Sequence, residues 1–232
     1  MTRFCPSVRI AAALVLAVAA SALAGCSVIS PNAPPARAVP ANAEVRSPAP
    51  VVVAIGDSIT HGRGVTAAQA WPRLVAHKRG WAMTDLGING AGFITKGHDG
   101  GTFDTEIGRV AALDPKLILI SGSRNDLRQP DEALAAAVPA ELLKLRASAP
   151  HAVIVAISAI WNDHAAPAKL GMISEQVRKA APRVHAVYLD IGQPFADRRQ
   201  LLQADDVHPT AVGQQALAEA IDEALTAAHV RL

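Results

Sequence analysis

Five short β-type runs recur along the chain, at 51–55, 83–86, 117–121, 152–157 and 184–191, and each gap between them is long enough for a crossover helix. Val51-Val52-Val53-Ala54-Ile55 and Leu117-Ile118-Leu119-Ile120 are apolar at every position rather than at alternate ones, the pattern of strands buried on both faces. Such strands alternating with helices predict an α/β fold, a three-layer α/β/α sandwich around a five-stranded parallel sheet. Helical spacings fill the gaps at 68–79, 103–113, 131–147 and 169–180, with Leu134, Val138, Leu142 and Leu145 the clearest stripe. Pro139 is expected to kink or split that third helix. Leu217, Ile221 and Leu225 mark a terminal helix, which Pro209 is expected to open.

The region before the first strand follows other rules. Residues 1–25 combine Arg3 and Arg9 with a long apolar run and end on Leu23-Ala24-Gly25 ahead of Cys26, which reads as an export signal. The tetrapeptide Leu23-Ala24-Gly25-Cys26 resembles a bacterial lipobox, and that resemblance implies cleavage before Cys26 and lipidation of its sulfur. A plain secretory signal or a short transmembrane anchor are the alternatives, but the apolar run falls short of the roughly 20 residues that span a bilayer. Residues 26–50 are rich in Pro, Ala and Ser without periodicity, the composition of a disordered tether. Residues 51–232 have the length of one ordinary domain. With Cys5 and Cys26 the only cysteines, no disulfide is expected inside that domain, although the chain reads as exported to the extracytoplasmic side of a membrane.

Formal net charge is +2, and Arg3 and Arg9 account for the excess, so the remainder is balanced. No basic stripe interleaved with aromatic residues appears, and nucleic acid is not expected as a partner.

Gly56-Asp57-Ser58-Ile59-Thr60 follows the first strand, and in open α/β sheets ligands gather beyond the carboxyl ends of the strands. Ser58 is therefore a candidate nucleophile, although Gly, Asp and Ser are also turn residues. A serine hydroxyl needs a base, and the base an orienting acid. Asp205-Asp206-Val207-His208-Pro209 supplies both at a spacing that lets a carboxylate meet an imidazole. Developing charge on an oxyanion needs donors. The backbone of Gly90 in Gly87-Ile88-Asn89-Gly90-Ala91-Gly92, and the side-chain amide of Asn125 in Ser123-Arg124-Asn125-Asp126, are candidates. Taken singly, each block has an ordinary structural explanation as a turn, a cap or a solvated loop.

Together, and in this order, the four blocks resemble those of the SGNH (GDSL-type) hydrolases. The resemblance implies a flavodoxin-like sandwich and a serine esterase in which Ser58, His208 and Asp205 form the catalytic triad. It also implies an oxyanion hole formed by the Ser58 and Gly90 amides with Asn125, and chemistry that needs no metal or organic cofactor. Ala70-Trp71-Pro72-Arg73-Leu74 matches the helix after the nucleophile in many members. One departure stands out: Ser123 occupies the position where the family's G-x-N-D block has glycine. Asp57, Asp126 and Asp206 are expected to organise turns rather than to react.

The substrate is expected to be an ester of small-molecule, lipid or carbohydrate type. Acetyl or short acyl groups on carbohydrate come first, a lysophospholipase or lipase activity next, and a non-catalytic envelope-binding lipoprotein last. Two other patterns carry less. Gly62-Arg63-Gly64-Val65-Thr66-Ala67 with Asp85 formally fits a dinucleotide fingerprint but does not directly follow its strand. His61, His98, Asp99 and Asp104 lack the spacing of a compact metal motif. Trp161, Phe93 and the loop 97–101 are candidates for the rim of the site, with packing the more ordinary role for Trp161.

Overall fold

The structure, a computed structural model, describes residues 47–232. The signal at 1–25, Cys26 and nearly all of the tether at 26–50 lie outside the described residues.

The chain order is β1 (Val51–Ile55), α1 (Ser58–His61), α2 (Trp71–Arg79), β2 (Ala82–Asp85), α3 (Phe103–Val110), β3 (Leu117–Ser121), α4 (Asp131–Ser148), β4 (Val153–Ile157), α5 (Ala168–Ala180), β5 (Val187–Leu189) and α6 (Ala211–Ala227). All five strands are parallel, in the order β2-β1-β3-β4-β5. Their side chains alternate between two cores. Val53, Ile55, Ile118, Ile120 and Ile154 pack with α3, α4 and α5, whereas Val52, Ala54, Leu117, Leu119 and Val155 pack with α2 and α6. Each fully buried side chain of this size contributes about 1.5–3 kcal/mol, which is why strands apolar at every position end up inside. The order places a topological switch between β1 and β3, and the crevice beyond their carboxyl ends is where such sheets bind ligands.

Several boundaries differ from the sequence expectation. Pro139 does not split α4, which runs unbroken from Asp131 to Ser148. Its stripe of Leu134, Val138, Leu142 and Leu145 is buried against the sheet, and that packing outweighs the ~3 kcal/mol an internal proline costs. Pro209 does not open the last helix. Thr210 caps α6 instead, its hydroxyl accepting from the Gly213 N–H at 3.1 Å, and helix begins at Ala211. The expected helix at 68–79 starts only at Trp71, after a 3-10 turn at Ala67–Gln69 and an extended Ala70. β5 is three residues long, because the chain at Ala181–Val184 is a 3-10 turn and His185 takes a left-handed conformation.

Buried Gln214 of α6 bridges the layers. Its Oε1 accepts from the Trp71 N–H at 2.9 Å, and its Nε2 donates to the Ile59 carbonyl at 3.0 Å. The helix that follows the D-x-x-H segment is thereby joined to both helices that follow β1. Arg79 of α2 reinforces the same seam, donating to the Asp222 carbonyl at 2.8 Å and the Thr226 hydroxyl at 2.7 Å.

Candidate active site

Ser58 is the first residue of α1, a single turn held between two signals. Asp57 caps it, with Oδ1 accepting from the Ile59 N–H at 2.9 Å, and Gly62 ends it in a left-handed conformation at φ 78°. Gly56 is fixed by close approach: a Cβ there would lie 2.1 Å from Thr60 Oγ1 and 2.9 Å from Ser121 Oγ. The chain can therefore bend sharply off β1 and leave the Ser58 side chain at the switch point.

The Asp205 to His208 segment is a closed turn. Gln203 N–H donates to the His208 carbonyl at 2.7 Å, and Thr210 N–H to the Leu201 carbonyl at 2.8 Å. Asp206 occupies the left-handed region at φ 56°, which aspartate tolerates better than most residues. Asp205 Oδ1 accepts from the N–H groups of Val207 and His208, both at 3.0 Å. Its Oδ2 lies 2.6 Å from His208 Nδ1, and His208 Nε2 lies 2.9 Å from Ser58 Oγ. Residues 150 positions apart thus meet in one chain of hydrogen bonds, with Ser58 and His208 both largely buried. Partial burial pushes the Asp205 carboxyl up, but the hydrogen bonds from the His208 N–H, the His208 ring and the Val207 N–H outweigh it and hold the group at about 2. Asp205 is therefore an anion across the working range. It accepts a hydrogen bond from Nδ1–H and so leaves Nε2 free to accept from the serine hydroxyl.

The other two blocks are tied to each other and, through Ser123, to Asp57 beside Ser58. Asp126 organises them: fully buried, it accepts from the N–H groups of Phe93 at 2.8 Å, Ile94 at 3.2 Å and Thr95 at 2.9 Å. Gly90 precedes this loop at φ 81°. Asn125 Nδ2 donates one proton to the Ala91 carbonyl at 2.8 Å, and its second N–H remains for another acceptor.

Ser123, the departure from the family pattern, turns out to be a junction. Fully buried, its Oγ lies 2.7 Å from Asp57 Oδ2 and 3.0 Å from the Ala91 carbonyl, and it accepts from the Asn125 N–H at 3.1 Å. One hydroxyl thus touches the serine block, the glycine block and the asparagine block. Burial pushes the Asp57 carboxyl above its ordinary value, while the Ser123 hydroxyl, the Ile59 N–H and the charges of Arg124 and His208 pull the other way. From the sequence alone Ser123 reads only as a missing glycine. The signal available was that a hydroxyl at the turn after β3 can bond forward to its own backbone, as an N-cap does.

Of the rim candidates, Phe93 is no rim residue. It is core, packed edge-on against Phe103 with ring centroids 5.1 Å apart, because Asp126 draws its backbone inward. The 97–101 loop folds back on the glycine block, with His98 N–H donating to the Asn89 carbonyl at 2.9 Å. With His61, Gly87, Ile88, Asn89, His98 and Asp99 it lines a cleft of about 150 Å³ beside Gly90. Trp161, half-buried beyond β4, lies beneath Arg124, whose guanidinium carbon is 4.1 Å from the ring centroid. Asn162 Nδ2 donates to the Asp206 carbonyl at 3.1 Å and so joins the β4 loop to the His208 turn. Asp104 forms an ion pair with Lys144 at 2.6 Å, and among the described residues no three His, Cys, Asp or Glu side chains gather as ligands. Gly62 of the dinucleotide-like pattern caps α1, and Asp85 accepts from the Gly87 N–H at 2.8 Å.

Comparison with known proteins adds three kinds of likeness. Residues 54–216 match the model of the GDSL-like lipase/acylhydrolase family. A GDSL lipase of Mycobacterium tuberculosis (strain ATCC 25618 / H37Rv) is 30% identical over 182 residues, covering 73% of this chain and 79% of that protein. In fold, the chain is similar to a salicylyl-acyltransferase from a tetracycline biosynthetic pathway, with TM-score 0.64 and 23% identity over 80% of this chain and 56% of that one. A family two carbohydrate esterase from Cellvibrio japonicus gives TM-score 0.63 and 16% identity over 77% of this chain and 62% of that one. The chain thus spans little more than half the length of either solved structure.

Proposed function

The chain belongs to the GDSL-like lipase/acylhydrolase family, and from that premise we propose that it is an exported, membrane-tethered serine esterase working through Ser58, His208 and Asp205. The observation that carries this is the relay in which Ser58 Oγ lies 2.9 Å from His208 Nε2 while His208 Nδ1 lies 2.6 Å from an Asp205 carboxylate held at about 2. In the proposed cycle Ser58 attacks the ester carbonyl, and His208 takes the hydroxyl proton and returns it to the departing alcohol. The Ser58 and Gly90 amides and the second N–H of Asn125 receive the oxyanion, and water then releases the acid along the same path.

We take the cleft beside Gly90, lined by His61 of the helix that bears Ser58, as the acyl site, and its size favours a short acyl group. At about 150 Å³ it is well below the roughly 300–1,000 Å³ of a pocket for a drug-sized ligand. The fold likeness to a carbohydrate esterase supports a carbohydrate ester as the substrate class. Tethering through lipidated Cys26 rests on the sequence of residues 1–50. Among the described residues no helix is long and apolar enough to cross a membrane.

The deciding experiment compares 4-nitrophenyl acetate, octanoate and palmitate on the wild type and on Ser58→Ala, together with fluorophosphonate labelling of the active serine. Acetate is expected to be the best substrate, and Ser58→Ala to lose both hydrolysis and labelling while melting like the wild type. A preference for palmitate would replace the short-acyl assignment with a lipase. Failure of the wild type to label would remove the esterase reading.

A further inference from the structure

Arg124 stands between Ser123 and Asn125, in the middle of the block that serves the oxyanion side of the site, yet nothing in the relay uses it. Its guanidinium is partly withdrawn from water and stacked on Trp161 at 4.1 Å. Nη1 is buried without a hydrogen-bond partner among the described residues, and so is Nε1 of Trp161. The charges of Asp57 and Asp205 both act on Arg124, which places it against the catalytic cluster, but it forms an ion pair with neither. A buried donor left without an acceptor costs more than a mean hydrogen bond returns, and more again when the group is charged. Stacking on tryptophan offsets part of that cost and also fixes the plane of the guanidinium, the geometry suited to a carboxylate or phosphate.

The sheet order says which end of a substrate would meet this charge. Gly90 and its cleft follow β2, Ser58 follows β1, Asn125 and Arg124 follow β3, and Trp161 follows β4, in a sheet ordered β2-β1-β3-β4. The small cleft and the Arg124–Trp161 pair therefore flank Ser58 on opposite sides. With the short acyl group on the β2 side, the alcohol lies on the β4 side, towards Arg124.

We infer that Arg124, held flat by Trp161, is a subsite for an anionic oxo group, a carboxylate or phosphate, on the alcohol half of the ester. This rests on the esterase reading and narrows its substrate to short acyl esters of acidic alcohols. Arg124 selects the substrate by pairing with a charge the protein leaves unpaired, and it takes no part in the bond-making step.

The test uses acetyl esters matched in their reacting bond. Methyl 4-acetoxybenzoate is neutral, 4-acetoxybenzoate carries a carboxylate, and 4-acetoxyphenyl phosphate carries a phosphate; the last two also distinguish the two sources of anion. The wild type should favour at least one anionic ester over the neutral one in kcat/KM by about tenfold or more, and added salt should weaken that preference. Arg124→Met should bring the ratio close to one, while Arg124→Lys, which keeps the charge without the stacked fork, should retain part of it. Fluorophosphonate labelling of each variant reports that the site is still assembled. Equal turnover of all three esters by the wild type would overturn the subsite and leave the esterase standing. A proportional loss on neutral and anionic esters in Arg124→Met would overturn it too, since Arg124 would then only position the site. Hydrolysis of none of them, with no labelling, would remove the esterase and the subsite together.

Discussion

Replacing Ser123 by alanine tests whether the junction between the three blocks is structural. The hydroxyl sits fully buried, 2.7 Å from a carboxylate oxygen and 3.1 Å from the Asn125 nitrogen that donates to it. A hydrogen bond to a charged group contributes about 1.5–3 kcal/mol, and an N–H left without a partner adds about 1 kcal/mol, so the loss should be roughly 2–4 kcal/mol. For a domain of this size that lowers Tm by roughly 5–15 °C. The loss also has a pH signature. Burial sets the folded-state pKa of Asp57 above its unfolded value, so the folded protein holds that proton more tightly and loses stability as pH rises through the interval between the two. Removing the hydroxyl that pulls this carboxyl down widens the interval. The deficit of Ser123→Ala should therefore be larger at pH 8 than at pH 4. Urea unfolding at both values, followed by far-UV circular dichroism, measures it. A deficit under about 0.5 kcal/mol, or one equal at both pH values, would refute the assignment of Ser123 as a bonded junction.

Two further outcomes follow from groups already described. Asn125→Ala should lower kcat on 4-nitrophenyl acetate by about 10²–10³ with a smaller change in KM, the loss typical of one oxyanion donor; a loss confined to KM would place Asn125 in ground-state binding instead. Glu141, buried on α4, is pushed up to about 8 by burial, with the charges of Asp104 and Asp126 adding and Lys144 opposing. Its stability contribution is therefore whole below the ordinary carboxyl range and is lost as pH rises towards 8. Glu141→Gln should match the wild type near pH 4 and exceed it above pH 8 by on the order of a few kcal/mol. Denaturation midpoints that shift equally at both ends would contradict the burial argument.

Much of the fold could be read from the chain because β1 and β3 are apolar at every position, a pattern that only a sheet covered on both faces accommodates. The relay was legible for a related reason: the Ser58 block lies just past a strand, and the Asp205 side chain completes a turn within three residues of His208. What escaped were relations between distant segments. Phe93 reads as rim because nothing local says that Asp126, 33 residues on, will draw its backbone inward. Pro139 reads as a break because propensity is local, whereas the stripe of three leucines and one valine that overrides it gains its energy only against the sheet. Arg124 carried no signal at all, since its partner Trp161 stands beyond the next strand.

The Gln214 bridge has a consequence for how such a protein diversifies. Because one amide side chain on a helix fastens the segment after His208 to the segment bearing Ser58, their mutual spacing is calibrated from beneath, in the packed layer, rather than by the surface loops. Insertions or substitutions in the surrounding loops can then accumulate while the Ser58–His208 pair keeps its alignment, so the scaffold separates change at the surface from the upkeep of that contact.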